Sequence, residues 1–517
     1  MKACSPTCPE KLFWSLVILG ILPPLYLALH NSLNYDVAWL VTAAGRLLEG
    51  GNIHADAFDV TPPLYLLFLM PPVALSDLTG LPVYYSAAIY PLFFILFSVI
   101  ACRSILDKWD FLSRQDKDLF SAVYLLALFI LPSADFGEKD HMILTGLMPF
   151  ILLQLSLTLN YGIAPRLKWA VLVIGTFLIL TKPHYGLLPT LLLLHRLVYS
   201  RSIMKILRSP DFLSLAAGTI GVLGILLAFF PIYLTEIVPD ALALYAPARP
   251  PILAKTAFYA MSWVLIFAVL CSFTCPDEKK KNFILFLFSA ALTGIALFYI
   301  QGKGYWYHLL PAQIFFFCAL ALYLQTLLSR FLPPLAPGFL VASAMTVLLY
   351  LSTPLNTKFP SHQEMKNLKL TKMVHDCPAP CSFFMFNDDV GMIHPTALYA
   401  GRTHASRFPA LWFLPGILAG LENGAPQATA YKEKYAAMVA ADFQRHRPAL
   451  VILGQFKLNS AEEFDLPTFF STNKDFAAAW AHYSFDQTVS VNNSDYYRGT
   501  ALDDGEQIRF DIYRRKE

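Results

Sequence analysis

The sequence predicts a polytopic α-helical membrane protein with a small C-terminal α/β domain on the extracytoplasmic side. Three observations predict it. The 517-residue chain is 56% hydrophobic and only 15% charged, less charge than a soluble protein of this length carries. Apolar runs long enough to cross a bilayer recur through residues 1–351. Residues 352–517 contain no such runs and read as a separate water-facing domain. The net charge of +3 is too small to suggest a nucleic-acid partner.

Leu12–Leu29 is the first span; no small-residue cleavage site is clear after His30, so it does not read as a signal peptide. In the next loop, Val37, Leu40, Val41, Ala44, Leu47 and Leu48 recur at helical spacing. They predict a short amphipathic helix on the membrane surface, ended by Gly50-Gly51. Pro62–Ser76 is apolar but short and is broken by Pro62, Pro63, Pro71 and Pro72, which predicts a re-entrant segment. Ten further spans are expected at Leu81–Cys102, Leu119–Ser133, Met142–Tyr161, Leu167–Thr181, Tyr185–Tyr199, Phe212–Leu234, Thr256–Thr274, Phe283–Ile300, Trp306–Ser329 and Leu335–Leu351, about eleven in all.

Charge tests this topology. With the Pro-rich segment re-entrant, sixteen Lys and Arg fall on one side, against Arg46, Lys139, Lys182, Arg249, Lys255 and Lys303 on the other. The positive-inside rule makes the richer side cytoplasmic and puts the C-terminal domain outside. If the segment spanned, every later loop would change sides and the bias would collapse. In the C-terminal domain, His362–His375 and Gln427–Arg445 read as helices, and Ser382–Phe386, Ala449–Leu453 and Ile508–Tyr513 as strands. Cys377-Pro-Ala-Pro-Cys381 fits a small disulfide loop or half of a metal site. The apolar run Phe408–Leu418 is either domain core or a surface resting on the membrane half.

The outer loops gather the chemistry-bearing residues. They hold Asp36, Asp56 and Asp59, then Asp135, Glu138, Asp140 and His141, then Lys182 and His184, then Lys303, Tyr305, Trp306, Tyr307 and His308. Ionisable groups clustered at a membrane boundary are expensive and point to function. Each also has a plainer reading. Asp36 fits a helix N-cap, Asp56 and Asp59 fit ordinary loop residues, and Trp306 and Tyr307 fit an interfacial aromatic belt. No Walker loop, dinucleotide fingerprint, H-E-x-x-H or G-x-S-x-G is present.

The order Asp36, Gly50-Gly51, Pro62-Pro63-Leu64-Tyr65, followed by Asp135, Glu138 and Asp140 in the next outer loop, resembles the GT-C membrane glycosyltransferases. The nearest likeness is to glycosyltransferase family 39, which includes protein O-mannosyltransferases and bacterial aminoarabinose transferases. The resemblance covers about residues 12–350. Val37 follows Asp36 where many relatives have a second acid, and Val60-Thr61 precede Pro62 where relatives often have Glu-Lys; Asp59 lies beside that position.

The resemblance implies a bacterial inner-membrane enzyme of cell-envelope biogenesis. It would move a hexosyl or pentosyl unit from a polyprenyl-phosphate donor to an envelope glycan, lipid or protein. Such a reaction needs a carboxylate near the acceptor hydroxyl and donors for the departing phosphate. Asp36 is the candidate carboxylate, and Glu138 and Asp140 the candidate positioning acids. The resemblance leaves open a divalent cation, Mg2+ or Mn2+, on Asp36 and Asp140. His141, His184, Lys182 and Lys303 are candidate phosphate donors, Asp59 a candidate substrate contact, and Tyr305 and His308 candidate sugar contacts. A transporter or flippase of a lipid-linked precursor is the alternative. It would more often show repeated halves and midplane charges, and no internal repeat is seen.

Overall fold

The structure is a computed structural model. It describes residues 8–245, 252–333, 336–353, 359–378, 380–387, 390–454, 465–496 and 507–516. Arg249 therefore lies outside the described residues. The chain divides into two compact units. One comprises residues 1–29, 88–225 and 248–356; the other comprises 30–87, 226–247 and 357–517.

The first unit is built of apolar helices. Among the described residues, seven helices are long and apolar enough to cross a membrane: Lys11–His30, Val83–Leu106, Lys139–Thr158, Pro210–Phe229, Ala254–Thr274, Glu278–Gln301 and Trp306–Leu328. Seven, rather than eleven, reach that length on their own. The other four expected spans are helical but shorter: Arg114–Ile130, Pro165–Thr181, Leu187–Ser200 and Ala336–Ser352. Local chemistry sets where two of them begin. A Ser113–Asp116 capping box sets the start of Arg114–Ile130. Pro183 and a tight 3-10 turn over Pro183–Gly186 use up residues that read as the beginning of the next span.

Buried ion pairs tie these helices together. Lys280 Nζ lies 2.6 Å from Asp116 Oδ1. The Arg196 guanidinium lies 2.9 Å from Asp211, which also accepts from Gln154 Nε2 at 3.1 Å. Two glycines let helices approach unusually closely. A methyl group on Gly175 would sit 3.1 Å from the Gly146 carbonyl oxygen, so Pro165–Thr181 and Lys139–Thr158 pack backbone to backbone. A methyl group on Gly294 would sit 2.7 Å from the Ala312 nitrogen, bringing Glu278–Gln301 equally close to Leu310–Leu328.

The second unit opens with the Tyr35–Leu48 helix. Its N-cap is Asn34, whose side chain accepts the N–H groups of Asp36 and Val37 at 2.8 and 3.4 Å. Asp36 is thus a first-turn acid and not the cap, which corrects the plainer reading of this residue. The helix buries Val37, Ala38, Trp39, Leu40, Val41, Ala43 and Ala44 and packs on Pro63–Thr79 and Ile393–Ala400. Its apolar face meets protein. The Pro-rich segment is a 17-residue helix, Pro63–Thr79, with proline at its first position and Gly80 at φ +70° ending it.

A five-stranded sheet completes this unit. Its strands are β1 (Ser382–Phe386), β2 (Thr403–His404), β3 (Leu450–Gly454), β4 (Tyr483–Asn492) and β5 (Gln507–Arg515), in the spatial order β2-β1-β3-β5-β4. β1 pairs parallel with β2 and β3, while β5 pairs antiparallel with β3 and β4. The three expected strands are present, with β2 and β4 added. Phe408, Phe413 and Leu414 are fully buried beside Phe58, Phe384 and Tyr435, so the apolar run is domain core. Cys377 and Cys381 form a disulfide.

Candidate active site

Three loop segments of the helical unit meet in one buried polar cluster. The first is the turn before Lys139–Thr158. Glu138 is the N-cap of that helix and accepts the Asp140 N–H at 3.1 Å. This places Asp140 in the first turn, where the helix dipole favours a carboxylate, with none of its surface exposed. The second segment is Lys182-Pro183-His184-Tyr185. Lys182 caps the C-terminus of Pro165–Thr181, and its Nζ lies 2.5 Å from Asp140 Oδ2. The 3-10 turn after it directs the Tyr185 hydroxyl to donate to Asp140 Oδ1. The third segment begins at Gln301, the last residue of its helix. Gln301 Oε1 is 3.5 Å from Lys182 Nζ, and its Nε2 is 3.5 Å from the Tyr185 hydroxyl.

Around this core stand aromatic rings and histidines. Lys182 Nζ is 5.9 Å from the centre of the Tyr307 ring. Tyr305 stacks on Tyr307 at 5.6 Å with planes 10° apart, and Tyr305 and Trp306 are exposed. His308 is buried within electrostatic range of Lys182, Glu138, Lys139 and His184. His308 Nδ1 and His184 Nε2 are buried and have no hydrogen-bond partner among the described residues. Buried polar atoms are normally satisfied, and the described residues leave these two without a partner. Burial and the neighbouring Lys182 ammonium push His184 down to about 4, so it is neutral at pH 7 and offers a single N–H.

The remaining sequence-derived candidates fall as follows. Lys139 Nζ sits 2.9 Å from Glu138 Oε1, an ion pair without hydrogen-bond geometry. His141 accepts the Gly137 N–H on Nδ1 at 3.0 Å and packs on Phe136. Lys303 is half-buried between Gly302 and Gly304, at φ +69° and +74°, and burial pushes it down to about 8. Asp36 and Asp59 belong to the other unit. There Asp59 is buried, and its Oδ2 accepts the Trp39 indole N–H at 3.0 Å. Asp56 pairs with Arg445 at 2.8 Å.

Tyr185 and Gln301 are the members that sequence reasoning missed. Tyr185 reads as the start of an apolar span, and Gln301 as the first residue of the loop that holds Lys303 and His308, without a role of its own. The available signal was position: Tyr185 follows His184 directly, and Gln301 is separated from Lys303 by Gly302 alone.

A divalent cation fits this cluster poorly. Both oxygens of Asp140 are engaged, one by an ammonium and one by a phenol. Among the described residues, no group of three or more His, Cys, Asp and Glu is placed to hold a metal ion.

No protein-family model matches the chain, and no curated protein matches it. Solved structures do. ArnT from Cupriavidus metallidurans in the apo state is similar over 86% of this chain and 93% of its own, at 13% identity and a TM-score of 0.40. The same protein bound to undecaprenyl phosphate is similar over 97% of both chains, at 12% identity and a TM-score of 0.39. The Archaeoglobus fulgidus oligosaccharyltransferase in complex with Zn and sulfate is similar over 93% of this chain and 72% of its own, at 13% identity and a TM-score of 0.38.

Proposed function

We propose that this protein is a membrane glycosyltransferase using a polyprenyl-phosphate sugar. The observation that carries the reading is the convergence of three loops on one buried cluster, Asp140–Lys182–Tyr185–Gln301, with two unpartnered histidine nitrogens beside it. A cluster of donors set among apolar helices suits the charged head of a lipid-linked substrate. In the reaction, the bond from the anomeric carbon to the phosphate oxygen breaks, and a bond from that carbon to an acceptor hydroxyl forms. Polyprenyl phosphate leaves, and the hydroxyl proton passes to a carboxylate.

Asp36 is assigned that carboxylate. Lys182, Lys303, His184 and His308 are assigned to the departing phosphate. Asp140, Glu138 and Tyr185 are positioning residues acting through Lys182, and Tyr305 is assigned to the sugar face. The acceptor is a glycan, lipid or protein of the bacterial envelope. Residues 1–351 would form the transferase domain in the inner membrane, and 352–517 a domain outside the cytoplasm. A reporter fused after Ser76 should then report the same outer side as one after Asn52; opposite sides would overturn this orientation.

The deciding experiment is sugar transfer by wild type and Asp36→Asn at equal protein level. Because Asn34 supplies the cap, the Asn variant keeps its helix and loses only the charge. A lost base lowers the rate by about 10²–10⁴-fold. Transfer near the wild-type rate would remove Asp36 from the chemistry. Accumulation of polyprenyl-phosphate sugar in a deletion strain is the matching observation in cells; accumulation of an untranslocated precursor on the cytoplasmic side would favour a flippase.

A further inference from the structure

We infer that Lys182 is the resident cation of this cluster, and that Asp140 takes no divalent metal while Lys182 is in place. The donor set carries this reading. A magnesium-like ion needs about six oxygens in near-octahedral array and usually draws on one or two carboxylates. Asp140 is the only acid touching Lys182 among the described residues, and its Oδ2 lies 2.5 Å from Nζ. Its Oδ1 accepts the Tyr185 hydroxyl. In the neighbouring acid, Glu138 Oε2 accepts the Asp140 N–H at 3.1 Å, while Oε1 is paired in charge with Lys139 at 2.9 Å without hydrogen-bond geometry. Among the described residues, the one neutral side-chain oxygen on Lys182 is Gln301 Oε1, 3.5 Å from its ammonium.

The two acids and two lysines of these pairs balance in charge. An ion entering at Asp140 would have to expel Lys182 from a site where its side chain is only 13% exposed. That would leave a buried ammonium beside a new dication. Like charges at that range in a low-dielectric interior oppose such an arrangement. Lys182 is therefore held as a fixed positive charge, locked by Asp140 and steadied by Gln301, in the place a metal would take.

This reading rests on the same cluster as the proposed transferase site. Ion binding is measured without transfer, however, so the two fail separately. The test is a Mn2+ titration of the purified full-length protein in detergent, followed by electron paramagnetic resonance, on wild type and Asp140→Asn. The expected result is no Asp140-dependent binding up to about 1 mM, the weak end of protein-bound divalent sites. Titrations that coincide for the two proteins support the inference, including the case where both bind an ion elsewhere. One equivalent of Mn2+ bound by wild type and lost in Asp140→Asn would overturn it.

Discussion

The two units handle charge in different ways. In the helical unit, charged side chains answer one another: Asp140 with Lys182, Asp116 with Lys280, Asp211 with Arg196. In the sheet-bearing unit, a leading cation is held by backbone. Arg46 donates to the carbonyls of Asp56, Ser406 and His404 at 2.6–2.8 Å, and burial pushes it down to about 10. Arg407 adds the backbone of His54 to its pair with Asp442. A cation spent on carbonyls fixes chain geometry and leaves little for a ligand. Of the four buried pairs among the described residues of the helical unit, Asp140–Lys182 and the adjoining Glu138–Lys139 lie beside histidine nitrogens without a hydrogen-bond partner and an aromatic stack. Partners, more than residue type, therefore separate architecture from a site.

This contrast can be broken by removing one partner. Lys182→Met leaves Asp140 buried and uncompensated, a change that typically costs about 3–5 kcal/mol. Thermal unfolding in detergent should show the loss, and Lys182→Met with Asp140→Leu should recover most of it. A single variant as stable as wild type would mean the pair does not anchor the cluster.

A second test uses pH. Burial lowers Lys303 in the folded state to about 8. Its protonated form therefore opposes stability below that pH, and the penalty is relieved as pH rises toward the ordinary lysine range. Binding of a phosphate donor has the opposite sign, because it needs the protonated form. Donor affinity should fall as pH passes about 8, approaching tenfold per unit, and Lys303→Arg should flatten the profile. A pH-independent affinity would remove Lys303 from the phosphate site.

The smallest expected effect concerns the cap. Asn34→Ala should cost about 1 kcal/mol, while Asp36→Asn forfeits only a first-turn dipole contribution of about 0.3–1 kcal/mol. Unfolding midpoints of the two variants decide the order; a larger loss in Asp36→Asn would make Asp36 structural after all.

Much of this was legible in the chain. Hydropathy located the apolar helices because a bilayer requires long apolar runs whatever the tertiary packing. It misplaced their ends where capping and turn chemistry intervened, as at Ser113, which starts its helix before the expected Leu119, and at Pro183. Strands β1, β3 and β5 were visible as short apolar or alternating runs, whereas β4 is largely exposed and carries little periodic signal. Asp140, Lys182 and His308 stood out because charge is costly beside apolar spans.

The sequence by itself thus determined the class of protein, the inventory of polar residues in the loops between apolar helices, and the acid at the start of the first loop helix. The tertiary structure decided which of those residues meet. Gly146 against Gly175, and Gly294 against Ala312, let backbones approach too closely for any larger residue. The cluster brings together loops far apart in the chain, such as Lys182 and Gln301, 119 positions apart. A one-dimensional pattern records the cost of burying each charge, but not the partner that offsets it, because that partner is chosen by packing between helices distant in the chain.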